Sequence, residues 1–446
     1  MIKDMTVGKP VKVILAFSLP MLLSMAFQQL YNIADSVIAG KFAGTDALAA
    51  IGVSFPVTML FLAVAMGASV GSSVIVSQYF GVKKTAKMRS AIHTSIIAIM
   101  ATAAFLTALG FVICKPVIKL LQTPSEILGA ANTYLYIYIA GLPFLFLYNA
   151  ATAIFTGLGD SRTPLYFLIF SSVFNVVLDI VFVTAVQWGV KGVAWATFIA
   201  QGISGVLAMI TLLARVSKMK TEEPFKHFDR ALLKKICTVA VPSILQQSFI
   251  SVGQLCVQGL INSFGTPVIA GYSAAIKVNI FCVAIFNTMS NALSSYTAQN
   301  TGAGDYERVK KGYPAALGIM AAVTVVFTAV LVFAGKYLVA LFTDGNNDEN
   351  VIDAGKKFLW FVAAGYPIVA YKVITDGLLR GSGYMSAFMI STFTDLIVRV
   401  GVSFALAGQM GFTAVCVSFP VGWALGAVVS MGFYLSGKWK NKSQVK

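Results

Sequence analysis

The chain has 446 residues, of which 58% are hydrophobic and 11% are charged, and its mean hydropathy is +0.81. About a quarter of the residues in a soluble globular protein are charged, so the composition excludes that class and predicts an integral membrane protein. The net charge of +16 is typical of basic loops on one side of a membrane, and we expect no nucleic-acid partner.

Apolar stretches of roughly 20 residues or more, enough to cross about 30 Å of hydrocarbon, recur along the whole chain. They predict an all-α integral membrane protein with twelve transmembrane helices, near residues 13–38, 48–78, 90–114, 131–157, 163–185, 191–214, 236–261, 268–298, 312–341, 355–379, 384–406 and 412–436. An even number of spans places both termini on one side, and most Lys and Arg lie in the loops of that side. We therefore expect a multi-pass protein of the cell membrane with cytoplasmic termini.

The first predicted helix carries Gln28, Asn32 and Asp35 at positions i, i+4 and i+7, on one helical face. A charge at mid-membrane costs about 3 kcal/mol on insertion scales, so Asp35 needs a partner, a watery cavity or a function. The alternative is that Asp35 ends the helix close to water.

Helices five and six carry similar polar stripes. They consist of Ser172, Asn175 and Asp179 on helix five and of Thr197, Gln201 and Ser204 on helix six. At about 1.5 Å of rise per residue, Asp35, Asp179 and Thr197 lie at one depth, in the outer half of the membrane. Carboxylate, carboxamide and hydroxyl oxygens that converge there would suit Na⁺ or a proton shared by two acids. The alternative is that Asp179 pairs with another donor and is structural.

These stripes predict a cation-coupling site and a polar cavity beside it. The coupling residues are Asp35, Asn175, Asp179 and Thr197, and the cavity residues are Gln28, Asn32 and Gln201.

A basic stretch follows helix six and divides the chain almost equally. It predicts an N-lobe at residues 1–214, a cytoplasmic linker at 215–235 and a C-lobe at 236–446. Internal repetition supports the division, since "LPMLLSMAFQQLYNIADSVIAGKFAGT" recurs in outline as "VPSILQQSFISVGQLCVQGLINSFGT", with Pro20 aligned to Pro242. Two six-helix repeats in the same orientation predict a pseudo-two-fold axis along the membrane normal and a substrate path between the lobes.

The second half has its own intramembrane charges, Lys372, Asp376, Asp395 and Arg399, in two pairs with i, i+4 spacing that permits ion pairs. We expect Asp376 to snorkel or cap near the cytoplasmic end of its helix. The pair of Asp395 and Arg399 is either structural or lines a cavity. The repeat aligns Val257 with Asp35, so this half lacks the first-helix acid.

The sequence contains no nucleotide-binding loop and no hydrolase or metalloprotease motif. We therefore expect a protein that is not an enzyme, has no cofactor and draws its energy from an ion gradient. The five cysteines show no disulfide spacing, and the two histidines, His93 and His227, are far apart, so we expect solvated or interfacial imidazoles and no metal centre.

The runs "LYNIADSVIAG", "SQYFG", "GLGDSRTP", "NVVLD" and "GVKGVAWAT" closely resemble the multidrug and toxic compound extrusion (MATE) transporters over nearly the whole chain. The resemblance implies a twelve-helix, two-lobed antiporter that exports organic, often cationic or amphipathic, compounds in exchange for Na⁺ or H⁺ by alternating access. In one branch the cation site is an N-lobe cluster, which by motif corresponds to Asp35, Asp179, Asn175 and Thr197. The first-helix proline of the family corresponds to Pro20, a predicted bend in the conformational cycle.

Two departures from the family pattern stand out. Ile180 follows Asp179 where the helix-five motif often has proline, which puts a proline kink there in doubt. Ile250 occupies the position of an acid that another branch carries on helix seven, which argues against a C-lobe sodium site of that type. A lipid-linked precursor flippase of the related superfamily is the alternative function. We expect small-molecule substrates, a lipid bilayer and a functional monomer.

Overall fold

The computed structural model describes residues 3–43, 45–120, 123, 125–221, 223–341 and 349–444. Within these ranges the chain is helical and contains no β-strand, as predicted. The helices are α1 (Pro10–Ile38), α2 (Thr45–Gly81), α3 (Thr85–Leu120), α4 (Ser125–Ala140), α5 (Leu142–Gly157), α6 (Arg162–Ile180), α7 (Val190–Ser217), α8 (Arg230–Asn262), α9 (Thr266–Gly302), α10 (Tyr306–Ala340), α11 (Glu349–Gly381), α12 (Met385–Met410) and α13 (Phe412–Leu435).

Eleven of the helices in the described ranges are long and apolar enough to span a membrane, and α4 and α5 together make a twelfth span. These helices follow the twelve predicted spans in order. Their ends extend beyond several of the predicted limits because polar helical turns continue past the apolar stretch that hydropathy detects.

The fourth predicted span, 131–157, is a bent pair of helices and not one continuous helix. α4 and α5 meet at Gly141 with an angle of 47°. Pro143 lacks a backbone N–H, and its ring collides with the carbonyl one turn earlier in a straight helix, so the helix breaks in front of it. The N–H of Gly141 still donates to the carbonyl of Ile137 at 3.1 Å, which ends α4 with a satisfied hydrogen bond.

Two of the helices continue directly into π-helical turns. α1 is followed by π1 (Ala39–Ala43) and α6 by π2 (Val181–Ala185). In π2 the N–H of Val186 donates to the carbonyl of Val181 at 3.0 Å, five residues back. The helix is thus distorted immediately after Ile180, although Ile180 itself is not a proline. π turns within helices frequently mark functional sites.

The chain divides into two compact units. The first comprises Met1–Asp4 and Leu19–Gln247, and the second comprises Met5–Ser18 and Ser248–Lys446. The N-terminal segment is fixed to the second unit by Met5, whose N–H donates to Oε1 of Gln299 at 2.9 Å and whose carbonyl accepts from Asn300. The predicted lobe limits, 1–214 and 236–446, stay a prediction.

The segment predicted as a linker packs on α3 within the first unit. The N–H of Lys226 donates to Oγ of Ser90 at 2.8 Å, and the N–H of Asp229 donates to Oγ1 of Thr94 at 3.1 Å. His93 and His227 form a T-shaped pair with ring centroids 5.1 Å apart. The folded linker thus brings together two side chains that lie far apart in sequence, His93 being half-buried and His227 exposed, in agreement with the expectation of solvated or interfacial imidazoles.

Candidate cation site

The site is built around two carboxyl groups that face each other in the first unit. α1 carries Asp35, which is partly buried, and α6 carries Asp179, whose exposed fraction is 0%. The two side chains lie close enough to share a hydrogen bond once one of them holds a proton. In the part of the chain that the structure describes, no donor reaches either carboxylate oxygen of Asp179 or Oδ1 of Asp35.

This geometry determines what the pair of acids can do. Two ionised carboxylates that lack donors repel each other, and burial strengthens that repulsion because the dielectric is low. A buried charge also loses its hydration unless another group replaces it. The pair is therefore stabilised when it takes up a proton or a cation, which lowers the negative charge between α1 and α6.

Asn175 and Thr197 complete the predicted set of four. Nδ2 of Asn175 donates to Oγ1 of Thr197 at 3.4 Å, which ties α6 to α7. Oδ1 of Asn175 is buried and receives no hydrogen bond from the described residues. An amide oxygen without a donor is a suitable ligand for a hard cation.

Two tyrosines near the acids were missed in the sequence analysis. Tyr31 shares a hydrogen bond with Thr197 and interacts electrostatically with Asp35 and Asp179. Tyr134 on α4 also lies within electrostatic reach of both acids. The spacing of Tyr31, one helical turn before Asp35, could have indicated its position, whereas the sequence around Tyr134 carries no comparable signal.

Only part of the polar stripe on α1 faces this site. Gln28 and Asn32 are exposed at the surface, and Nδ2 of Asn32 donates to Oε1 of Gln29 at 3.4 Å. Tyr31 and Asp35, at i and i+4, form the face directed toward α6 and α7. Gln201, in contrast, lines a small cavity together with Thr197.

Comparison with known proteins gives the same two halves that the repeat predicts. The sequence model of the MatE family matches residues 20–181 and again residues 242–405. The two matches begin at Pro20 and Pro242, the aligned prolines, and together cover more than half of the chain. The chain belongs to the MATE family. MATE proteins are transporters and not enzymes.

Relatives of this MATE protein cover it almost end to end. It is 27% identical over 439 residues to the probable multidrug resistance protein YpnP of Bacillus subtilis (strain 168), a match over 98% of this chain and 97% of YpnP. It is 25% identical over 436 residues to the probable multidrug resistance protein YoeA of the same organism, over 96% of this chain and 93% of YoeA. A MATE transporter solved in complex with MaD3S has a TM-score of 0.90 and 22% identity, with 98% of each chain covered, which establishes the fold.

The α1 proline of this MATE protein does not interrupt its helix. Pro20 lies inside α1, and the carbonyl of Pro20 accepts a hydrogen bond from Oγ of Ser24 at 2.9 Å. The change from the second compact unit to the first falls just before it, between Ser18 and Leu19. A role of Pro20 in a conformational bend stays a prediction.

The second unit of the MATE chain contains a different kind of charge cluster. Nζ of Lys372 lies 2.8 Å from Oδ2 of Asp376 and 3.6 Å from Oδ2 of Asp395, and Arg399 pairs with Oδ1 of Asp395 at 2.7 Å. The two predicted i, i+4 pairs are thus joined by Lys372 into one network. Two cations balance two carboxylates, so this cluster, unlike the acid pair of the first unit, needs no added ion for neutrality.

Asp376 is a buried member of this network. Its side chain accepts hydrogen bonds from Ser391 on α12, at 2.9 Å, and from Ser430 on α13. Its exposed fraction is 4%, so the expectation that Asp376 snorkels or caps a helix is wrong. Gly422 and Gly426 on α13 leave room for the charged side chains, since a Cβ on Gly422 would lie 2.8 Å from Oδ1 of Asp395.

Proposed function

We propose that this MATE protein is a secondary active antiporter that exports organic compounds in exchange for Na⁺ or H⁺ by alternating access. The observation that carries the proposal is the pair of Asp35 and Asp179, two facing carboxyl groups of which Oδ1 of Asp35 and both oxygens of Asp179 are buried without a donor among the described residues. A buried arrangement of this kind is stabilised by the ion that it binds, so it can link ion occupancy to conformation.

The neighbouring groups suit either coupling ion. Na⁺ would take oxygen ligands from Asp35, Asp179, the Asn175 amide and the Thr197 hydroxyl. A proton would instead be shared between the carboxyl groups. Both modes reduce the repulsion between α1 and α6, and the adjoining π1 and π2 turns are the places where these helices can repack.

The substrate class of the proposal is organic, cationic or amphipathic compounds. YpnP and YoeA are described as probable multidrug resistance proteins, which supports export of varied small molecules. In this proposal the protein acts as a monomer in the cell membrane with both termini in the cytoplasm, as the distribution of basic residues favours.

The test is dye efflux from proteoliposomes that contain the full-length chain, with a sodium gradient at fixed pH and a pH gradient without sodium imposed separately. Asp35→Asn and Asp179→Asn should each abolish gradient-driven ethidium efflux. Either substitution removes the repulsion between two carboxylates that binding of the ion relieves, so ion binding no longer drives the conformational change. Gln28→Ala, at an exposed position on the same helix, is the matched control and should transport normally. Full gradient-driven efflux by Asp35→Asn would overturn the coupling site.

A further inference from the structure

Five lysines of the second unit lie together beside the start of α10 and the end of α13. We call them the basic patch: Lys310, Lys311, Lys438, Lys440 and Lys442. The first two directly precede the predicted span 312–341, and the other three follow the predicted span 412–436. The ends of membrane spans lie where hydrocarbon gives way to lipid headgroups. The basic patch is therefore expected at the level of the headgroups.

A short turn after α13 carries three of these lysines and is fixed in place by Trp439. Gly437 precedes it with φ +67°, a left-handed conformation that suits glycine, and a 3₁₀ turn over Lys438–Asn441 follows. Trp439 is 2% exposed, and its Nε1 donates to the carbonyl of Tyr434 at 3.1 Å. Its indole also stacks on the ring of Tyr434, with centroids 6.1 Å apart, and meets the ring of Tyr306 at 6.2 Å. The turn is thus held against both α13 and α10.

This anchorage places the lysines of the turn beside those of α10. Glu307 pairs with Lys310 at 2.5 Å and lies within electrostatic reach of Lys311 and Lys440. Glu307 can neutralise only one lysine. Within the described ranges, the other four lysines of the basic patch form no salt bridge.

The charge and the surroundings of the basic patch favour an anionic phospholipid. Arg308 and Asp305, the remaining charged residues at the start of α10, balance each other, so the excess of positive charge belongs to the lysines. Clusters of basic residues next to a membrane span attract anionic headgroups. Leu435, at the end of α13, is 71% exposed and offers an apolar contact close to Lys438. A lipid would use both the lysines and this contact, whereas a dissolved phosphate ester would use only the lysines.

We propose that the basic patch is a binding site for the headgroup of an anionic phospholipid. The phosphate lies among the lysines of the turn and of α10, and an acyl chain runs along α13 past Leu435. With both termini in the cytoplasm, as proposed above, the lipid belongs to the cytoplasmic leaflet. Neither the acid pair of the first unit nor the exported compound enters this inference.

The test compares phosphatidylglycerol with phosphatidylcholine, each carrying the same fluorescent label on an acyl chain. Full-length protein in a neutral detergent is titrated into each lipid, and binding is read from fluorescence anisotropy. The natural chain should prefer phosphatidylglycerol about tenfold or more at low salt, and high salt should reduce the preference because it screens exposed charges. The variant Lys438→Gln/Lys440→Gln/Lys442→Gln should lower the preference about tenfold, since each lysine near the headgroup contributes to the attraction.

Two further comparisons separate a built site from general charge. The variant Lys336→Gln/Lys356→Gln/Lys357→Gln removes the same charge near the end of α10 and the start of α11, away from the basic patch, and should keep the preference. Trp439→Ala retains every lysine but releases the turn, so it should lose most of the preference. Trp439→Phe keeps an aromatic ring against Tyr434 and should retain most of it.

An unchanged preference in the variant of the turn lysines would overturn the inference. Equal losses in the two triple variants would overturn it as well, because they would show an effect of net charge alone. Full preference in Trp439→Ala would mean that the turn does not form the site. Displacement of labelled phosphatidylglycerol by dissolved glycerol 3-phosphate would show that the basic patch takes a soluble phosphate ester, which would remove the lipid from the inference.

Discussion

The hydroxyl of Tyr31 links the elements of the candidate cation site that lie on α1, α6 and α7. It shares a hydrogen bond with Thr197 and interacts electrostatically with Asp35 and Asp179. It can therefore hold the Thr197 hydroxyl in a fixed orientation. A phenol can also donate to a carboxylate or accept from a carboxylic acid, so it can adapt to either protonation state.

We expect Tyr31→Phe to weaken ion coupling without abolishing export. One hydrogen bond contributes about 0.5–1.5 kcal/mol net, so the ion concentration for half-maximal efflux should rise about 2- to 13-fold. The measurement is ethidium efflux at a series of ion concentrations, and Tyr136→Phe on α4 is the control. An unchanged ion dependence in Tyr31→Phe would show that the hydroxyl does not position Thr197.

The charge network of the second unit makes a prediction about stability. Lys372→Met should destabilise the protein by about 3–5 kcal/mol, because it leaves carboxylates buried without their shared cation. The double variant Lys372→Met/Asp376→Asn restores neutrality and should lose less than the two single variants added together. Urea or thermal unfolding in detergent measures the change in the free energy of unfolding for Lys372→Met, for Asp376→Asn and for the double variant. Strict additivity would mean that Lys372 and Asp376 are not coupled.

The linker and α3 pack against each other in a contact that hydropathy could not reveal. His93 stacks on Phe225 with centroids 5.1 Å apart, and the guanidinium of Arg89 lies 4.1 Å from the same ring. His227 closes the cluster against His93. A proton on the imidazole of His93 would place a positive charge beside Arg89 in this cluster.

We therefore expect acid to loosen the linker. The backbone amides of residues 223–229 should exchange hydrogen faster near pH 5 than near pH 8. The labelling time at each pH is scaled to correct for the pH dependence of intrinsic amide exchange. His93→Phe keeps a ring against Phe225 and His227 and cannot take up a proton, so its linker should respond less to acid, while His93→Ala should exchange fast at both pH values. A natural chain whose linker exchanges equally at both pH values would contradict the expected repulsion.

The same elements show what a sequence can and cannot predict. Asp35, Asp179 and Thr197 could be placed together because helical rise fixes depth in a membrane and depth limits which groups can meet. The break at Gly141 and the contact between His93 and His227 could not, since both depend on how neighbouring helices and the linker pack. The link between Lys372 and Asp395 was missed for the same reason: it depends on the rotation of α11 against α12, about which spacing within one helix is silent.

The two units differ in charge balance although they share a repeated sequence. In the first unit the facing acids lack a basic partner among the described residues, whereas in the second unit Lys372 and Arg399 neutralise Asp376 and Asp395. Val257 is buried at the position that aligns with Asp35. In the proposed antiporter, ion occupancy therefore changes the net charge of the first unit alone.

This asymmetry makes a prediction for transport by the intact protein. If Na⁺ and protons use the same carboxylate oxygens, they must compete, so acidification should raise the Na⁺ concentration for half-maximal efflux. The increase should approach tenfold per pH unit where one proton excludes one Na⁺, since each tenfold change in proton concentration must be matched by Na⁺. The measurement is sodium-driven ethidium efflux from proteoliposomes with equal pH on both sides. Asp376→Asn should keep the same pH dependence if it folds, because Asp376 already has Lys372 as its partner. Sodium dependence that is identical at all pH values, or a pH dependence that persists in Asp35→Asn, would show that the two ions do not share the pair of acids.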